Sequence, residues 1–322
     1  LRTLKNSPGF TATVALTFAL GIGANSAVFS AIDAVLLRPL PFPSADELTK
    51  IAQTARRGTA LFLSPVRLED WNRLNSTFAA ICGYYEGDAS ETSGPVPERL
   101  KWAFVTPRFL QVLGISPAIG RDFAPQEEHF GGPPAVLISD SLWRRRFGGS
   151  TDVVGKTLRL GSSSMPIIGV MPAGFRFPDR DVDLWSVSPY DAPFAQQREL
   201  TWFTAIGRLK PGVSLEQARA DLARVQANLG RQFPKTDADI VPSVAPLKEV
   251  TIGGVRRSLW MLFGSVSLLL VIACTNIAAL LVSRATSRDH EIAVRFALGA
   301  SKSSVIGQLL MEVFILAVSG AI

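Results

Sequence analysis

Two imidazoles are available for acid–base or metal chemistry, His129 and His290. His129 follows Glu127 and Glu128 without the spacing that would set two histidines on one helix face around a metal, and neither histidine has a nucleophile motif beside it. Asp179, Asp181 and Asp183 imitate the opening of a calcium loop. Position six of that loop would be Leu184, where the sharp turn needs glycine, and position twelve Tyr190, where a bidentate glutamate belongs. The three carboxylates read as a solvated acidic turn. Gly155-Lys156-Thr157 resembles the end of a phosphate-binding loop, but the glycine required five residues earlier is Ser150, so backbone N–H groups are not free to wrap a phosphate. Arg144-Arg145-Arg146 beside Trp143 raises nucleic acid as a partner; on a short helix the triplet reads as a solvated or intramolecularly paired face.

A different chemistry is written further along. Glu291 and Arg295 stand four apart with the carboxylate N-terminal, the favourable order on a helix, and Ile292, Phe296 and Gly299 form an apolar strip beside them. With Arg288 this makes a short amphipathic helix, suited to docking a partner or lying in a membrane interface.

The elements around it explain the position. Leu259–Val282 carries no charge, and from Ser258 to Ser283 the uncharged run is about 26 residues, which at about 1.5 Å per residue crosses a hydrocarbon core of roughly 30 Å. Phe10–Ile32 is a second uncharged run of spanning length. The small residues Ala24-Asn25-Ser26-Ala27 resemble a signal-peptide cleavage site, but a signal core is shorter and apolar character here continues to Leu37. Within the run, Ala15, Ala19, Gly23, Ala27 and Ala31 recur every fourth residue, making a face on which another helix can approach closely. Basic residues flank both runs on one side, Arg2 and Lys5 before the first and Arg284, Arg288, Arg295 and Lys302 after the second. The positive-inside rule therefore puts both flanks in the cytoplasm and the long middle outside, although Arg256-Arg257 on the outer side weakens the signal. His129 and His290 then lie on opposite sides of the membrane, and Cys82, outside, cannot pair with Cys274, in the second span.

The middle, between Pro39 and Arg257, is nearly charge-balanced and is no nucleic-acid footprint. Its pattern predicts strands at 48–53, 80–85 and 99–105, helices at 65–74 and 107–113, then a glycine- and proline-rich stretch with short strands at 135–138, 157–160 and 166–170 and a helix at 141–147. A strand over 201–209, the helix 215–233 and a last strand at 241–244 complete it. Ser214 and Gln217 fit a capping box for that helix, and Leu215, Ala218, Leu222, Val225 and Leu229 are its apolar stripe.

Arg288, Glu291, Arg295, the run Ala297-Leu298-Gly299-Ala300-Ser301, Gln308 and Glu312 resemble the signature of MacB/FtsX-type ABC transporter permeases. The segments GRDFAPQEE, SLWRRRFGG, VVGKTLRL, IIGVMPAGFRFP and GRLKPGVSLEQARADL resemble the periplasmic core domain of the MacB type. The resemblance implies a membrane protein of α+β class, with transmembrane helices flanking a large two-subdomain mixed α/β extracytoplasmic domain. In numbers, it implies a cytoplasmic flank at 1–9, a first span at 10–37, a core domain at 38–257 with a β-rich insert near 114–195, a second span at 258–283, a coupling helix and loop at 284–302, and the start of a truncated third span at 303–322. The expected role is transport in a bacterial inner membrane, by efflux of a drug, peptide or similar substrate, without enzymatic activity in this chain. ATP and Mg would be bound by a partner ABC ATPase, docked on Arg288, Glu291, Ile292, Arg295, Phe296 and Gly299, and no cofactor by this chain. Further expected partners are a second permease copy or half, the lipid bilayer, and a periplasmic adaptor or outer-membrane component. Lipoprotein release, activation of a cell-wall hydrolase, and a membrane-anchored ligand sensor stay open as alternatives.

Overall fold

The computed structural model describes residues 8–55, 58–94, 96–286 and Gly307. Helix α1 (Pro8–Ile32) is apolar on every side and carries no charge in either terminal turn. It continues into one wider turn, Asp33–Leu37, closed by Arg38 Nε donating to Asp33 at 3.0 Å. The proline-rich stretch that follows cannot hold a helix, and the chain enters β1 (Leu48–Ala55) and the two-residue β2 (Ala60–Leu61). Helix α2 (Pro65–Leu74) starts where Ser64 Oγ accepts from Arg67 N–H and Pro65 fills the first turn, and it buries Leu68 and Trp71 completely.

Next come β3 (Phe78–Glu91) and β4 (Glu98–Val105), paired antiparallel along their length. Helix α3 (Phe109–Leu113) and the short β5 (Ile119–Gly120) lead to β6 (Val136–Ile138), α4 (Asp140–Phe147), β7 (Thr157–Leu160), β8 (Ser163–Val170) and β9 (Leu184–Val187). The chain returns through β10 (Thr204–Leu209) to α5 (Leu215–Gln232), α6 (Pro234–Asp237), β11 (Ile240–Pro246) and α7 (Leu247–Thr286). The capping box at the start of α5 is present in both directions: Ser214 N–H donates to Gln217 Oε1 at 2.8 Å, and Gln217 N–H to Ser214 Oγ at 3.2 Å. Helix α7 runs through Gly253-Gly254, because two glycines cost only about 1 kcal/mol each against so long a helix.

The chain separates into two units, Pro39–Thr251 and the remainder. In the first, all strands join one 11-stranded sheet with the order β11-β1-β10-β3-β4-β9-β6-β8-β5, β2 and β7 lying off this path. Most pairs are antiparallel; β4–β9 and β6–β8 are parallel. The period-2 alternation of strand side chains sends Ile81 and Ala205 to one face, under α2 and α5, and Ala80, Cys82 and Ile206 to the other, with Phe109, Leu113 and Trp185. A third cluster, built on Leu100, Ile138, Leu142, Leu158 and Ile167, fills the part contributed by residues 114–195. That part extends the sheet of the surrounding residues, because β9 adds to β4 and β7 pairs β3 at Glu91.

Candidate functional site

In the unit outside Pro39–Thr251, α1 and α7 pair antiparallel. The contacts pair rising numbers on one helix with falling numbers on the other: Gly21 with Leu270, Asn25 with Val266 and Ser267, Phe29 with Phe263. A Cβ at Gly21 would lie 2.7 Å from Leu270 Cδ1, so a larger residue there would make the Leu270 side chain move. Asn25 Nδ2 donates to its own helix at Gly21 O (2.9 Å) and across to Val266 O (3.3 Å), and Asn25 Oδ1 accepts from Ser267 Oγ at 3.1 Å. A polar side chain flanked by apolar surface is thus satisfied between the two helices.

The small-residue face read from the sequence is a different one. Ala15 and Ala19 are half-buried, whereas Gly23, Ala27 and Ala31 are exposed, and nothing lies within 4 Å of a Cβ placed at Gly23. The period-four count found a stripe, and Asn25 decided which neighbouring stripe faces α7. Both helices are long and apolar enough to cross a membrane, over Ala12–Leu37 and Leu247–Leu280, and only 6% of each apolar window is buried. That exposure excludes the buried core helix of a soluble domain. Arg288, Glu291, Ile292, Arg295, Phe296 and Gly299 lie outside the described residues.

The unit Pro39–Thr251, the outer unit, carries two internal charge networks beside several isolated ion pairs. Asp237, with a side chain 0% exposed, accepts from Arg67 Nε at 2.7 Å and from Arg198 Nε at 2.8 Å, and Arg198 reaches Asp70 at 2.7 Å while lying 4.1 Å above the Phe233 ring. Arg67 also donates to Gln53 Oε1 and Thr236 O, so one buried guanidinium ties β1, α2 and α6 together. Burial opposes the charge on Asp237, but the hydrogen bonds from Arg198 and Arg67 outweigh it and hold this carboxyl well below its ordinary range. The second network absorbs the arginine triplet: Arg144 pairs Asp140, Arg145 pairs Glu98 and Asp183, and Arg146 pairs the buried Glu91. All three guanidinium groups are therefore engaged by carboxylates of this chain.

Among the described residues no constellation for catalysis forms. His129 Nδ1 sits 3.0 Å from Asp191 Oδ2, an exposed pair. Asp183 is occupied by the Lys101 N–H, and Asp179 by the N–H of Arg180. Among the described residues no group of three or more His, Cys, Asp or Glu is placed to hold a metal. Gly155 and Lys156 lie beside β8, with Gly155 N–H donating to Ile167 O, as a strand connection does. Two cavities open on the outer unit: one of 470 Å³ lined by charged groups including Lys101, Arg145, Arg176 and Asp181, and one of 650 Å³ lined largely by aromatic rings. The sequence offers no sign of either, because their walls come from segments far apart in the chain.

The profile of the MacB-like periplasmic core domain matches residues 11–225, and that of the FtsX-like permease C-terminal region matches residues 263–322. The chain belongs to the MacB/FtsX-like ABC permease family. The macrolide export ATP-binding/permease protein MacB of Chromobacterium violaceum is 28% identical over 221 residues, covering 66% of this chain and 32% of that protein. The protein of the same name from Escherichia coli K12 is 27% identical over 218 residues, covering 66% and 33%. The MacB-like chain thus spans about a third of the length of the curated relatives it matches. Its fold is also that of a domain of a Porphyromonas gingivalis protein assigned as a permease, with a TM-score of 0.50, 21% identity, and coverage of 64% of this chain and 93% of that one.

Proposed function

We propose that this chain is a permease subunit of the bacterial inner membrane. ATP hydrolysed by a partner ABC ATPase moves its helices, and the helices move the outer unit, which handles the substrate outside the bilayer. The observation that carries the reading is the order of elements: an apolar helix, a MacB-like core domain and a second apolar helix leading into an FtsX-like region. The names of the curated relatives, which join ATP-binding and permease functions, support an ATPase as the energy source.

The described parts of the two apolar helices favour force transmission over a path through the bilayer. Apart from Asp33 the first carries no charged side chain between Ala12 and Leu37, the second carries none between Ser258 and Leu280, and Asn25, a polar group shared by both, is spent on helix pairing. Charged groups mark most substrate paths through membranes. The exposed small-residue face of α1 suits a second permease copy or half.

The ATPase contact we assign to the helix carrying Arg288, Glu291, Ile292, Arg295, Phe296 and Gly299. The test is co-purification of an ATPase with the full chain, followed by Arg295→Glu at unchanged expression. Loss of substrate-coupled ATP turnover is expected. Full coupled turnover in the variant would sink the docking assignment, and absence of any co-purifying ATPase would sink the transport reading.

A further inference from the structure

The 650 Å³ cavity of the outer unit lies between β3, the approach to β10 and the turn after β8, and it falls in the size range of small-molecule sites. We propose that it is a binding site for an organic cation with an apolar body, of the quaternary ammonium kind. The walls are Phe62, Tyr84, Tyr85 and Trp202, and the acidic groups are Glu86 and Asp179.

Each wall has a definite state. Tyr85 is stacked on Phe104 with ring centres 4.7 Å apart and meets Phe203 edge-on, which makes it a fixed floor. The Tyr84 ring is already taken: Lys50 Nζ lies 5.3 Å from its centre and 3.1 Å from its hydroxyl. Two faces remain. The Trp202 backbone N–H donates to Leu63 O, and its ring is only tilted against Phe194 and Phe203. Phe62 is 59% exposed and has no ring partner among the described residues. An indole and a benzene ring lining one cavity suit an organic cation, because the ring quadrupole is negative over the face and strongest for indole.

The charges agree with the rings. Glu86 makes no hydrogen bond or ion pair among the described residues. Burial and then the neighbouring Asp179 push its carboxyl above the ordinary range, against a pull from Lys101. A cation beside Glu86 relieves a carboxylate whose charge its surroundings disfavour, and an anion is repelled. A bare metal ion is poorly served, since no third acidic or imidazole ligand joins them among the described residues. The apolar arms of a quaternary ammonium would cover Phe62 while its charge faces Glu86. The site does not depend on the transport reading.

The experiment is calorimetric titration of the full chain, in dodecyl maltoside micelles, with butyrylcholine and with its uncharged carbon isostere 3,3-dimethylbutyl butyrate. Saturable binding of one butyrylcholine per chain, with the isostere at least tenfold weaker, is the expected result. Glu86→Gln and Phe62→Ala change exposed side chains and so keep the fold; each is expected to weaken butyrylcholine about tenfold, and Trp202→Ala more. No saturable heat, equal affinity for the isostere, or unchanged affinity in both Glu86→Gln and Phe62→Ala would overturn the proposal.

Discussion

Asp237 and Asp221 show how single carboxylates are built into the outer unit. Asp237 accepts from two arginines and from Thr236, and removing it leaves Arg67, 1% exposed, as a buried charge without its counter-ion. Asp237→Ala should lower unfolding free energy by about 3–5 kcal/mol, read from denaturant curves followed by tryptophan fluorescence. Asp221 faces burial that opposes its charge, yet Ser76 N–H and Oγ, Arg224 and Thr77 hold it at about 2. Its folded value lies below the ordinary 3.8, so its contribution, about 2 kcal/mol, is complete above that value and is lost as pH falls from 3.8 to 2. Asp237, shifted the same way and further, also begins to lose its contribution below 3.8 and goes on losing it to more acidic pH than Asp221. Stability at pH 3 should therefore fall in the wild type by more than in Asp221→Asn, and equal losses would remove Asp221 from the account. Nothing in the sequence singles out either residue, because decisive partners lie 145 and 170 positions away.

Elements differed in how far they could be read. Helices α2 and α5 carry their own start signals, Ser64 before Pro65 and Ser214 with Gln217, and the structure starts each helix where the sequence does. Strand β9 was not anticipated: its four residues, Leu184–Val187, follow an aspartate turn and have no alternation of their own, and they are a strand only because β4 and β6 flank them. The strand expected at 80–85 extends over Phe78–Glu91, since Gly83 and Gly87 weaken the pattern but accommodate tight neighbours; a Cβ at Gly83 would lie 2.5 Å from Leu68 Cδ2. The pairing of α1 with α7 depends on one polar group that periodicity alone cannot rank. Asn25→Leu should weaken that pairing by about 1 kcal/mol, roughly fivefold in equilibrium. Disulfide yield between Phe29→Cys and Phe263→Cys, whose rings now lie 6.4 Å apart, is the readout, and an unchanged yield would show that packing at Gly21 suffices.

For the molecule as a whole, membership of the permease family was legible because short family-like phrases occur both in the outer unit and in the segment after the second apolar helix. The aromatic cavity was not, since Phe62, Glu86, Asp179 and Trp202 meet only after the sheet has formed. The sheet also sets where the chain comes in and goes out. Strands β1 and β11 are antiparallel neighbours, with Thr49 opposite Pro246, so the first and last strands of the outer unit begin and finish side by side, about 5 Å apart. Such a module is a cassette: a short glycine–serine bridge from Leu48 to Leu247 spans the gap that its removal leaves. A chain so shortened should still give the cysteine cross-link between positions 29 and 263. By the same geometry a foreign domain with neighbouring ends can be spliced in at that point, so outer units are exchangeable parts whose replacement need not redesign the helices that carry them.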